Sequence, residues 1–333
     1  VANRAGDRLY LTGDHSSLYA ISLRDLSCLG VHYLGHSSGS IRVSPGLVLN
    51  KIAIVENDGV ATSRLRLLSL NPNGTVANGS AERRLAGLAA ASPLVAARRL
   101  IVVTDRGEVD AFDVAAEDGD KSLTLVATRE ATSRQPLVRH VLMTPGAIWI
   151  GDTGLAKHAV VPTGNRLPSQ SIENSFPGDT FDHPLGLFGE TLVGVRRAKG
   201  RAGVSVAAID AGSGRVLWEN ELAVPPAAGP IVHDTTRTLA FADVNGLVFR
   251  FDEQAVRSRV QDQPLSAGPA MPGLPKLTSG VDLGEGRAVF AAPGESDQIL
   301  LYNPQAERQP LRWIKLPSTL ACDVSVFERG VLA

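Results

Sequence analysis

Short β-rich segments recurring every 42–52 residues, a raised count of Gly (33) and Pro (20), and the want of any convincing amphipathic helix together predict an all-β fold for this 333-residue chain. The architecture that fits them is a β-propeller of four-stranded antiparallel blades, with seven blades favoured and eight the alternative.

The recurrence has three parts. An apolar strand ending in turn residues is read at 8–13, 99–105, 147–152, 191–195, 238–243 and 288–292. A second strand follows at 17–21, 65–70, 108–113, 204–210, 247–252 and 299–303, with a weaker copy near His158. Leu18, Leu65, Val109, His158, Val206, Val248 and Leu300 serve as landmarks, and one interval is one blade. An earlier strand precedes each unit at 40–43, 92–95, 138–142, 184–187, 229–232 and 279–282, and the pattern begins again at 323–327. One domain over 1–333 is therefore expected, with about seven repeats and a partial eighth at 318–333. The chain starts and stops within a repeat, as a ring does when its closing blade takes strands from both termini, and as a piece of a longer protein also does.

Residues 81–91, rich in Ala, Leu and Arg, are the nearest helix candidate, to be read as a connecting loop or one short helix. Residues 71–80 read as turns around Asn73-Gly74 and Asn78-Gly79; both match the glycosylation sequon, which Asn-Gly turns generate freely.

Lys plus Arg (33) balances Asp plus Glu (34), so no field draws in nucleic acid or an anionic membrane. No apolar run reaches membrane-spanning length, and residues 1–10 lack a leader's charged-then-apolar order, so a soluble chain without direct membrane insertion is expected. Two cysteines, Cys28 and Cys322, exclude a disulfide framework or thiolate cluster; the alternatives are two buried thiols or one bridge closing a ring.

Candidate chemistry is sparse. Gly35-His36-Ser37-Ser38-Gly39 matches a nucleophile elbow, but no strand-turn-helix context surrounds it, and an inter-blade loop is the better reading. His32 and His36 have helical metal-ligand spacing on an extended segment. Asp118-Gly119-Asp120 and Asp179 with Asp182 and His183 place oxygen ligands in loops, without the spaced set of a calcium loop, and are read as solvated turns. Arg196, Arg197, Lys199 and Arg201 form the one concentrated basic run; it is expected at an exposed hairpin tip, where it is solvated surface or an interaction loop for an acidic partner, and no aromatic residues interleave to stack bases.

In the fifth unit, Asp210-Ala211-Gly212-Ser213-Gly214-Arg215-Val216-Leu217-Trp218 resembles the repeat signature of the pyrroloquinoline-quinone-type, or quinoprotein-like, propellers: an Asp ending a strand, a Gly-bearing turn, then a Trp. In that family the turn joins the third and outer strands and the Trp is a wedge between blades. Trp313 keeps the aromatic in a later unit, Asp252 keeps the acid, and the remaining copies are degenerate. The resemblance covers nearly the whole chain in period and is specific once.

The family holds alcohol and glucose dehydrogenases as well as non-catalytic members, among them the propeller lipoprotein of the outer-membrane barrel-assembly machinery. The alcohol enzymes clasp their quinone between a tryptophan and a vicinal disulfide above a calcium ion. This chain has no adjacent cysteines and is much shorter, and Trp149 falls inside a predicted strand as a packing residue. The resemblance therefore implies the non-catalytic branch: no cofactor, no metal and no catalytic residue is assigned. The expected function is a scaffold that binds a protein or peptide partner through its loop faces, as a monomer or a module of a larger chain, and periplasmic or otherwise extracytoplasmic by resemblance. The alternative is a quinoprotein-like enzyme or small-ligand binder using the central channel.

Overall fold

The computed structural model describes residues 1–3, 5–200, 203–222, 226–252, 265–267, 277–320, 324–327 and 330–332. The chain divides into two compact units, Val1–Trp149 with Lys157–Gln170, and Ile150–Ala156 with Ser171–Ala333.

The first unit is a succession of antiparallel sheets whose strands follow sequence order. They are β1 (Arg8–Thr12), β2 (Ser17–Ser22) and β3 (Cys28–Tyr33); β4 (Gly46–Val48), β5 (Lys51–Asp58), β6 (Thr62–Leu70) and β7 (Val76–Ala86); then β8 (Leu94–Ala96), β9 (Arg99–Val103), β10 (Val109–Val114) and β11 (Leu123–Arg129). The sheet of β12 (His140–Thr144), β13 (Ala147–Gly151), β14 (Leu155–Ala159) and β15 (Ser169–Gln170) lies mostly in this unit. The first sheet has three strands, and the N-terminal segment serves as a fourth: Tyr10 N donates to Val1 O at 2.9 Å and Asn3 N to Arg8 O at 2.9 Å.

The second unit repeats the scheme with β16 (Thr180–Phe181), β17 (Gly186–Phe188), β18 (Thr191–Arg197), β19 (Val204–Asp210) and β20 (Val216–Leu222). Next come β21 (Pro226–His233), β22 (Thr238–Asp243), β23 (Leu247–Asp252) and β24 (Leu265–Ser266), then β25 (Ser279–Gly284), β26 (Arg287–Ala291), β27 (Gln298–Tyr302) and β28 (Leu311–Lys315). A hairpin of β29 (Ser325–Phe327) and β30 (Gly330–Leu332) follows.

The second strand of a sheet is apolar without alternation because both of its faces are covered. On β5, Ile52 and Ile54 pack with Tyr10, Leu18 and Ala20 of the first sheet, while Ala53 and Val55 pack with Leu100, Val102 and Phe112 of the third. On β22, Leu239 and Phe241 face the β18–β20 sheet, and Ala240 and Ala242 face β26 and β27. Each such large side chain stabilises the stack by roughly 1.5–3 kcal/mol on burial. The outer face of β1–β3 is different: Leu11, Tyr19 and Val31 lie in one cross-strand row and are exposed, as is Tyr33.

Several expectations are corrected. Residues 40–43 are not a strand; the inner strand is β4, because a two-residue tip at Leu49 and Asn50 must place it directly before Lys51. Lys51–Asp58, missed as a strand, is an eight-residue one. The helix candidate at 81–91 is largely strand: β7 runs to Ala86, pairing with β6, and its Ala81 and Leu85 are buried four apart, a spacing that strand and helix share. The turn at 71–80 ends at Thr75, and Val76 onward is β7. Among the described residues the single helical element is a 3-10 turn at Asp120–Ser122. Cys28 is exposed on β3; Cys322 lies outside the described residues, and with it the closing bridge.

Candidate functional site

The repeat signature is built as a turn and a wedge. Asp210 Oδ1 accepts from Ser213 N at 2.7 Å and Ser213 Oγ at 2.8 Å, and these bonds, the backbone one first, hold its carboxyl below the usual range. Gly214 takes φ +76° with a Cβ position 2.4 Å from Ile172 Cβ, so no other residue fits. Gly212 packs less tightly, its Cβ position 3.2 Å from Asp210 Oδ1. The indole of Trp218 is 1% exposed and stacks on Phe251 of the neighbouring sheet at 5.8 Å. Trp313 is partly buried against Gly246, whose Cβ position is 2.8 Å from its ring. Trp149 is fully buried with Lys157 Nζ 5.2 Å from its ring centre.

The basic run is not a solvated tip throughout. Arg196 is the next-to-last residue of β18, its side chain 12% exposed, bound to Asp179 and bidentate to Glu219 at 2.5 Å, its guanidinium 4.7 Å from the Phe176 ring. Asp179, expected in a solvated turn, is buried in this triad and also accepts from Lys199 N at 3.0 Å. Arg197 pairs with Asp182 at 3.1 Å, half exposed. Arg201 lies outside the described residues. The inward turn of Arg196 follows from strand alternation, which sends alternate residues of β18 to opposite faces.

The other loop candidates are structural too. His36 is buried, with Nε2 3.1 Å from Gly13 O, and Ser38 Oγ donates to Asp14 at 2.6 Å; no helix follows them. His32 sits on β3. Asp118 binds Lys51 Nζ at 2.5 Å, and Lys51, 1% exposed at the start of β5, also donates to Ser69 Oγ at 2.8 Å. This joins the second sheet to the third. Among the described residues no three His, Cys, Asp or Glu side chains come together as a metal-holding group.

One polar cluster of the first unit was not read from the sequence. Asp110 on β10 is buried, accepts from Thr128 Oγ1 at 2.7 Å, and shares its strand face with Glu108 two residues earlier. Burial raises both carboxyls above their ordinary values, and the Asp110 charge raises Glu108 further. Around them stand Arg129, bonded to Gly107 O at 3.3 Å, and the buried Arg139, bonded to Asp105 O at 3.1 Å. His158, 1% exposed, has its pKa pushed down to about 4 by burial and then by the Arg129 charge. The cluster can hold a proton between two carboxyls, but it carries no aligned nucleophile and base. A carboxyl with a raised folded value binds its proton more tightly folded than unfolded, so stability is fullest below about pH 4 and declines as pH rises through the folded value. Asp110→Asn should therefore raise the melting temperature at pH 7, with the gain shrinking towards pH 4 in thermal scans across that range. An equal effect at both ends would contradict the buried-charge account.

A groove of about 1060 Å³ opens where the hairpins of the first three sheets end. Leu47, Leu49, Leu70 and Val95 form apolar walls, and Arg8 and Arg98 stand among its polar residues. Leu49 is the first residue of the β4–β5 tip, at φ +54° and 55% exposed, and Ala97 occupies the same place between β8 and β9 at φ +55°. The left-handed conformation costs an L residue about 1–2 kcal/mol relative to glycine. Sequence reading missed these residues because a lone Leu before Asn50 carries no motif; the signal was an apolar residue where turn chemistry calls for Gly or Asn.

No family model matches the chain, and no curated protein matches it. Solved structures do. BamB from Moraxella catarrhalis aligns with a TM-score of 0.57 at 16% identity, over 87% of this chain and 80% of that one. The dihydro-heme d1 dehydrogenase NirN, in complex with DHE, aligns at 0.64 and 15% identity, over 98% and 67%. The C-terminal WD40 domain of Sif2 aligns at 0.57 and 12% identity, over 96% and 80%. These proteins differ in activity, so the likeness speaks to fold alone. Together with the sheet order, it establishes that this chain has a β-propeller fold of antiparallel, mostly four-stranded blades.

Proposed function

We propose that this propeller is a non-catalytic scaffold that binds a peptide segment of a partner protein at the hairpin ends of its blades. The observation that carries the reading is the open groove on the first three sheets, whose walls join the exposed tip residue Leu49 to the half-buried Leu47, Leu70 and Val95. Three buried titratable groups, by contrast, are taken up by internal pairing: Arg196 by Asp179 and Glu219, Lys51 by Asp118, Asp110 by Thr128. Membership of the pyrroloquinoline-quinone-type family is supported by the Asp210 to Trp218 signature and by the fold likeness to BamB. An extracytoplasmic setting and a single domain over 1–333 rest on that same resemblance and on the period of the repeat. Among the described residues, Arg197 and Lys199, both exposed, are the part of the basic run left to a surface role.

The test has two arms. Selection of a displayed random peptide library on the immobilised chain should enrich a recurrent sequence. Pyrroloquinoline quinone with excess calcium should leave the melting temperature unchanged. Failure to enrich any sequence would sink the scaffold reading, and a saturable rise with quinone would establish the enzyme alternative, since only a ligand that binds the folded state shifts the transition upward.

A further inference from the structure

We infer that the groove on the first three sheets recognises an extended peptide segment carrying a large aliphatic side chain next to a carboxylate. The inference rests on the scaffold reading and specifies the chemistry of its partner. Three observations converge on it.

The first is Leu49. A hairpin tip gains from Gly or Asn, and the corresponding tip between β17 and β18 has Gly189 at φ +58°. Leu49 takes the same left-handed conformation with a side chain that is mostly in solvent. It suffers both the strain and the exposure, and Asn or Gly would remove both; over half of the residue's surface returns no packing within the fold. An aliphatic side chain set against it and against Leu47 and Leu70 supplies that return.

The second is charge. Among the described residues the groove is lined by two guanidiniums, Arg8 and Arg98, and by no carboxylate. Arg98 is the freer of the two: its side chain is 70% exposed and lies 3.6 Å from Asp113 Oδ2, while Arg99 holds the other oxygen of Asp113 at 2.9 Å. Arg8 is anchored, donating to Pro72 O at 3.0 Å with Asp7 Oδ1 4.0 Å from its Nε, and so holds its partly exposed, loosely paired charge at a fixed place. Such a pair favours an anionic group, and a guanidinium suits a carboxylate in particular.

The third is layout. The lining residues come from three successive sheets, with Arg8 on the first and Arg98 after the inner strand of the third. An extended chain crosses all three and meets both guanidiniums, whereas a compact ligand reaches only part of the lining. A phosphodiester satisfies the charge but brings no aliphatic group to the apolar walls.

The experiment is a fluorescence-anisotropy titration with three labelled probes: a short peptide of alternating leucine and glutamate, its lysine-for-glutamate counterpart, and its serine-for-leucine counterpart. Wild type should bind the leucine–glutamate probe and bind the other two at least about tenfold more weakly. Leu49→Asn and Arg98→Glu should each weaken that binding by at least about fivefold, the first with a melting temperature equal to or above wild type. Tyr33→Ser, on the exposed face of the first sheet, should leave it unchanged. Equal binding of the three probes, or unaltered binding to both groove variants, would overturn the assignment. A peptide bound alike by wild type and the groove variants would leave the scaffold reading standing and remove this one; enrichment of no peptide at all in the display selection would remove both.

Discussion

Arg196→Met is expected to destabilise the second unit by about 3 kcal/mol, a shift large enough to read directly from urea unfolding midpoints. The size follows from what the substitution strands. Asp179 and Arg196 are each buried to within 12% of their side-chain surface, and Glu219 accepts both of its bonds from the same guanidinium nitrogen. Without the cation, two carboxylates face each other beside the Phe176 ring, with Lys199 N as the remaining donor to Asp179. Neutralising the partners at the same time should recover most of the loss, because a buried ion network contributes little net stability over an uncharged packing of similar shape. The triple variant Arg196→Met, Asp179→Asn, Glu219→Gln is therefore expected within about 1 kcal/mol of wild type. A single variant as stable as wild type would mean the triad is wet and of no structural weight.

That arginine also shows where sequence reading stopped. The run Arg196, Arg197, Lys199, Arg201 was legible as charge and as a hairpin tip, yet its direction depends on which residue the strand sends inward and on Glu219, a partner 23 positions away. Lys51 is the same case: the residues that follow it are apolar, and it takes Ser69 together with Asp118, brought over from the next sheet, to explain a buried lysine. The strands themselves were readable where burial on both faces leaves a continuous apolar run, as at Thr238–Asp243. They were misread where local composition pointed elsewhere, as at Ala81 to Ala86, whose long pairing with β6 overrides the helix-forming Ala and Arg. Residues 40–43 failed for another reason. Ile41 and Val43 alternate as a strand does, but the hairpin tip at Leu49 fixes the register, and the pairing begins at Gly46.

The signature at Asp210 to Trp218 was the most legible element, and Trp218→Ala should carry the largest single loss, about 4 kcal/mol. Its indole lies in the layer between the β16–β20 sheet and the β21–β24 sheet, stacked on the Phe251 ring at an interplanar angle of 23°, while Phe251 meets Phe241 edge-on at 6.1 Å. Removing it opens a cavity between two twisted sheets whose separation is set by many other contacts, so the gap cannot close by collapse. Trp218→Phe should keep the stacking and lose about 1–2 kcal/mol. The pair Trp218→Ala with Phe251→Ala should fall short of the summed single losses by about 1 kcal/mol, the part that belongs to the ring contact itself. Far-UV circular dichroism is the suitable probe, since the substitution removes one of three tryptophans. A loss below about 1 kcal/mol for Trp218→Ala would show that the two sheets are held by their aliphatic contacts alone, and that the tryptophan of the repeat is no wedge in this chain.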